Sequence, residues 1–258
     1  MWRLATAVCL KSLRAIGLLM APNLPSDWGK SHFSEFVERG RTHASEIVAA
    51  FPLEYHQLVQ IDSLFKRVQE NLDFTKDWFA ALFFLRTHTS FLGASDVALS
   101  GLLPEAYMIM RGCLENSLYG LYLARHEAKA KTWLQRNESA QMKKKVRDEF
   151  KNSRLLSFLS TVDSRLGKAG NSLYERTIDL GAHPNQLALT TAMRTQQTDA
   201  KTEVKIAYIS GDPIASQLCL KTTAQVGVFG LSVFRHVFKE RFDILGITHD
   251  IDELSQGL

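Results

Sequence analysis

In the segment YERTIDLGAHPN, residues 174–185, Arg176 stands two helical turns before His183, and Gly181 and Pro184 break the chain around the histidine. An imidazole exchanges protons near neutral pH, so His183 is a candidate general base or acid. A guanidinium matches phosphate oxygens in shape and charge, so with Arg176 nearby an acid–base pair for chemistry on RNA is one reading. The same letters also spell a helix end: histidine beside the last carbonyls, Gly181 as a left-handed cap, Pro184 as the stop. Both readings stay open.

A second pair lies in PEAYMIMRGCLENSLYGLYLAR, where Arg111 and Glu115 are the only charged residues between Glu105 and Arg125. Four apart on a helix, they share a face and can pair. An unpaired charge in so apolar a helix would be costly. A buried ion pair that sets helix register and a ligand-binding pair are the two readings. Loss of one partner deep in a core would cost about 3 to 5 kcal/mol. Elsewhere, THDIDE (248–253) gathers His249, Asp250, Asp252 and Glu253, which fit either metal ligands or a flexible acidic tail. There is no glycine-rich phosphate loop, nucleophile elbow or paired-cysteine motif, which argues against a nucleotide-dependent enzyme or a hydrolase of the nucleophilic-serine kind. Cys9, Cys113 and Cys219 are odd in number and set in apolar stretches, as expected of reduced thiols in a cytoplasmic protein.

The elements that must position these residues follow from periodicity. Ser26 and Asp27 have N-cap chemistry, and Phe33, Phe36, Val37, Ile47 and Val48 follow at helical spacing toward Pro52. A second helix is predicted over about 54–72, with Leu58, Ile61, Leu64, Phe65 and Val68 on one face. An aromatic-rich third begins after Thr75, and a fourth runs from Pro104 to about Arg125 after a break at Ser100 and Gly101. Shorter helices carry Trp133, the basic stretch, LLSFLSTVDSRLG and NSLYERTIDLGA. Beyond His183 the pattern alternates. LALTTAMR (187–194) and EVKIAYIS (203–210) read as strands joined by TQQTDAK, a hairpin over about 187–210. Asp212 and Pro213 then open a long last helix. The expectation is a mainly all-α fold, an antiparallel helical bundle over 27–242 with one inserted β-hairpin and an acidic tail over 243–258.

The 258 residues carry a formal net charge of +4, yet residues 127–154 hold nine Lys/Arg against four acids. KKKVR (143–147) within that segment fits either a solvated helix face or a phosphate contact. No apolar run approaches the roughly 18 to 20 residues of a membrane span. Residues 1–26 contain no acid but do contain Arg3, Lys11 and Arg14. They are expected to form an amphipathic arm, with Met20 as an alternative start.

The helix MRGCLENSLYGLYLAR and the later LYERTIDLGAHPN leading into a hairpin resemble a bacterial family of unknown function. That family shares an Arg-x-x-x-Glu helix and a Tyr…His-Pro segment. Through it, about residues 75–240 resemble the HEPN superfamily of helical bundles, which includes RNA-cleaving toxins and defence proteins. Its motif is an arginine, usually followed by a polar residue, with four to six residues between the arginine and a histidine; Arg176, Thr177 and His183 match it with six intervening. The resemblance implies attack by a ribose 2′-hydroxyl without metal or cofactor, with His183 as general base or acid, Arg176 stabilising the phosphorane charge, and Thr177 and Asn185 orienting the scissile phosphate or ribose. It also implies a homodimer bringing two Arg–His sets to one cleft, with RNA held by the basic segment. The alternative, from the residues alone, is a non-enzymatic helical protein whose polar pocket or hairpin binds a partner.

Overall fold

The computed structural model describes residues 25–72, 75–184, 186, 190, 193–197 and 201–258. The fold is mainly α. Helix α1 spans His32–Ala50 and starts four to five residues later than Ser26 and Asp27 suggested. Gly29 takes a left-handed conformation (φ 86°) that interrupts any helix begun at Asp27, so the cap is Ser31, whose hydroxyl accepts from the Ser34 N–H in a reciprocal capping box. Pro52 ends α1 and opens α2, Pro52–Gln69, whose buried Leu58, Ile61, Leu64, Phe65 and Val68 are the stripe that periodicity predicted.

Helices α3 (Trp78–Leu99) and α4 (Leu103–Arg125) are joined by three residues and lie antiparallel along most of their length. Gly101 (φ 77°) makes the reversal. Then come α5 (Glu127–Leu134), a 3₁₀ turn (Gln135–Asn137), α6 (Ala140–Glu149), α7 (Asn152–Val162) and α8 (Ser164–Thr177). Helix α9, Pro213–Arg235, runs through the centre and packs on α2, α3, α4 and α8. Close approach there depends on small residues: a Cβ on Gly227 would lie 2.7 Å from the Phe91 ring and 2.8 Å from Ile61.

The hairpin pairs β1 (Met193–Gln197) with β2 (Thr202–Ile206), antiparallel, from Met193 opposite Ile206 to Gln197 opposite Thr202. Both strands are shifted from the expected 187–194 and 203–210. The polar Thr195–Gln197 are drawn into the ladder because register, not apolarity, decides which residues face β2. Strand β2 stops early because the chain turns back to the bundle, where the Ser210 N–H donates to the Gly101 carbonyl. Residues 187–189 and 191–192 of the expected first strand lie outside the described residues, as does the arm 1–24.

The acidic stretch 243–258 is not a tail. After α10 (Lys239–Ile244), helix α11 (Ile247–Gln256) docks on α9 with Ile247 and Ile251 buried. Its acids are engaged: Asp250 pairs with Arg67, Asp252 with Arg235 at 3.3 Å, and Glu253 with His249 at 3.4 Å. No helix among the described residues is long and apolar enough to cross a membrane.

Candidate functional site

Helix α8 does not end in a left-handed glycine cap. After Thr177 the chain widens into one π turn, Ile178–Ala182. Gly181 has φ 163° and sits against the start of α4, where a Cβ would come within 2.4 Å of the Pro104 carbonyl oxygen. Glycine is required there by proximity. Isolated π turns recur at functional sites, which directs attention to what this one presents.

It presents His183. Pro184 disfavours the helical region for the residue before it, and His183 is extended (φ −134°, ψ 147°) and exposed. Its Nε2 lies 2.7 Å from Arg111 Nη1 on α4. A guanidinium can only donate, so in this contact Nε2 accepts. Arg111 is fixed from three sides. Its Nε donates to Glu115 Oε1 at 2.9 Å, and its guanidinium lies 5.1 Å from the centre of the Tyr174 ring, in cation–π range. Asn152 Nδ2 donates to the same Glu115 oxygen at 2.6 Å and to the Tyr174 hydroxyl. One network therefore ties α4, α7, α8 and the π turn together.

Arg111 and Glu115 do pair, but they are not deeply buried. Their side chains keep 25% and 33% exposure, so the deep-core cost expected of breaking the pair does not apply. The pair stands at an open seam and not inside the core. Glu115 also lines a neighbouring cleft of about 480 Å³ with Gly112, Asn116, Tyr119, Trp133 and Arg136. Beyond it, α6 turns Lys143, Lys144, Lys145 and Arg147 to solvent while buried Val146 anchors the helix.

The expected partnership of Arg176 with His183 is not what forms. Arg176 Nη1 donates to Gln225 Oε1 at 2.6 Å and reaches Thr222 Oγ1 at 3.4 Å, both on α9, whereas His183 turns to α4. The π turn shifts the helical phase between them, and the extended His183 leaves the face that Arg176 occupies. Thr177, expected to orient substrate, is fully buried and donates its hydroxyl to the Tyr174 carbonyl. Asn185 lies outside the described residues. Asn152 and Tyr174 were not foreseen as site residues. Tyr174 stands in the Tyr…His-Pro segment, but nothing around Asn152 marks it in the sequence.

Other reactive groups are kept inert. Burial pushes the Cys113 thiol far above its ordinary range and Cys219 up to about 12, so neither supplies a thiolate near neutral pH. Among the described residues, no cluster of His, Cys, Asp or Glu could hold a metal. Comparison with protein families, with curated proteins and with solved structures returns no match.

Proposed function

We propose that this chain is a HEPN-like protein that binds RNA and cleaves it without a metal, with Arg111 in the part expected of Arg176. The observation that carries this reading is the 2.7 Å contact between exposed His183 and a guanidinium held by Glu115 and Tyr174. A positioned cation beside a proton acceptor suits a phosphodiester whose neighbouring hydroxyl must lose a proton. When a phosphate oxygen takes the Arg111 N–H, His183 Nε2 is released as base. It removes the 2′-hydroxyl proton, the 2′-oxygen attacks phosphorus, and the bond to the 5′-oxygen breaks. A 2′,3′-cyclic phosphate forms, and the departing 5′-oxygen takes a proton from water. The exposed lysines of α6 supply sequence-independent attraction for the strand.

The second reading is a non-enzymatic protein that binds a partner. The observation favouring it is that Glu115 and His183 already engage the Arg111 guanidinium, which suits a lock on the fold.

Incubation of the purified chain with mixed RNA in EDTA separates the two. Cleavage by wild type, with a loss of about 10² to 10⁴-fold in His183→Ala and Arg111→Ala, is the expected result. Arg176→Ala should retain cleavage, because that side chain serves α9. A wild type that leaves a broad RNA panel intact removes the cleavage reading. Equal cutting by all four proteins exposes a contaminant. A loss in folded Arg176→Ala equal to that in His183→Ala returns the phosphate role to Arg176.

A further inference from the structure

An isolated two-stranded ribbon is marginal in water, and an open strand edge is a template for further pairing. Here β1 and β2 form the only sheet among the described residues, and β2 is exposed along its length apart from half-buried Glu203. Val204 and Ile206 keep 53% and 63% of their surface, and Tyr208 beyond them, itself exposed, meets the rings of His32 and Phe36 edge-on. Successive residues alternate in face, so Thr202, Val204 and Ile206 share one side of the ribbon while Glu203 and Lys205 share the other.

We infer that the outer edge of β2 pairs with β2 of a second copy of this chain, antiparallel about a two-fold axis at Val204, giving a four-stranded sheet. The argument is charge complementarity within the strand itself. A two-fold between identical antiparallel strands must pass through a residue that faces its own copy. Centred on Glu203 it sets glutamate against glutamate, and centred on Lys205 it sets lysine against lysine; like charges directly opposite are destabilising. Centred on Thr202 or Ile206, it leaves much of the five-residue strand unpaired. Centred on Val204, it pairs all five residues. Glu203 then faces the partner's Lys205, Lys205 faces the partner's Glu203, and the two Val204 side chains meet. On the same face, Ile206 falls opposite the partner's Thr202, so both copies' apolar residues form one stripe. This inference is independent of RNA chemistry at Arg111 and His183.

Charge reversal tests it on the full chain by sedimentation equilibrium. Wild type is expected to dimerise reversibly. Glu203→Lys makes the edge all positive and Lys205→Glu makes it all negative, and each should weaken self-association by about ten-fold or more. Mixed one to one, the two variants should associate as wild type does, because each lysine again faces a glutamate. The double exchange E203K/K205E should also dimerise. These positions are at the surface, and circular dichroism confirms that each variant is folded. Three results overturn the inference: a monomeric wild type, dimerisation that neither single reversal alters, or single variants that do not recover on mixing.

Discussion

His88 shows how a single residue can carry pH dependence without being a catalyst. Its ring is buried on α3, stacked on Phe65 with 4.8 Å between centres, and its Nε2 lies 2.7 Å from Asp62 Oδ1. Burial holds the imidazole below its ordinary value of 6.5, and the Asp62 hydrogen bond pulls the other way without restoring it. Burial alone would raise Asp62, but hydrogen bonds from Lys66 and His88 outweigh it and hold the carboxyl below its usual range. Burial likewise lowers His236, against the pull of Asp163. For each of these groups, the unfolded chain takes up protons at a higher pH than the folded one. The stability they contribute is therefore complete above about pH 6.5 and declines as the pH falls through the folded values. Urea titrations from about pH 7 to about pH 5 should show wild type losing stability on acidification, by at most about 1.4 kcal/mol per pH unit for each histidine. His88→Gln should flatten that slope, leaving the part due to His236. An unchanged slope would separate His88 from the linkage. Its partner, Asp62, is 26 residues away in the chain and shares no motif with it, so the pair is visible only in the fold.

At the scale of elements, the helices were legible where apolar spacing was strong and less so where the chain changes direction. The stripe of α2 and the Ser100–Gly101 break before α4 follow from local residue types alone. The π turn does not. Gly181 reads as a cap in isolation, and only the approach of Pro104, 77 residues earlier, makes it a packing site. That one contact redirects His183 from Arg176 to Arg111. The motif residues were thus readable, but their pairing was not, because pairing depends on α4. Gly181→Ala tests this. Its methyl would meet backbone atoms of Pro104 that cannot rotate away, so the cost should be about 1 to 3 kcal/mol in a urea titration. The π turn must also lift, carrying His183 off Arg111, which the His183 ring signals in an NMR spectrum would report. An alanine variant as stable as wild type, with unchanged ring signals, would show that this contact does not set the site.

Across the whole molecule, one apolar core joins elements that are distant in the chain, and α11 is the part that composition misread. ITHDIDELSQ is acidic and short, and charge density suggested a solvated tail. Yet Ile247 and Ile251 are four apart, one helical turn, and that single stripe reaches the core while the acids face outward to Arg67, Arg235 and His249. Charge near the end of a chain is weak information when a few apolar residues at helical spacing can dock the segment. The consequence is energetic. Ile251 is 1% exposed and belongs to the same cluster as Phe65 and Phe234. Ile251→Ala should therefore cost about 2 to 5 kcal/mol, the range for emptying a core site, and should lower the urea midpoint of one cooperative transition. A peripheral tail would give less than about 0.5 kcal/mol. An early, separate transition for α11 would mean that it docks on an already stable bundle. A single transition shifted as a whole would mean that α9, which holds α2, α3, α4, α8 and α11 together, makes the fold one cooperative unit.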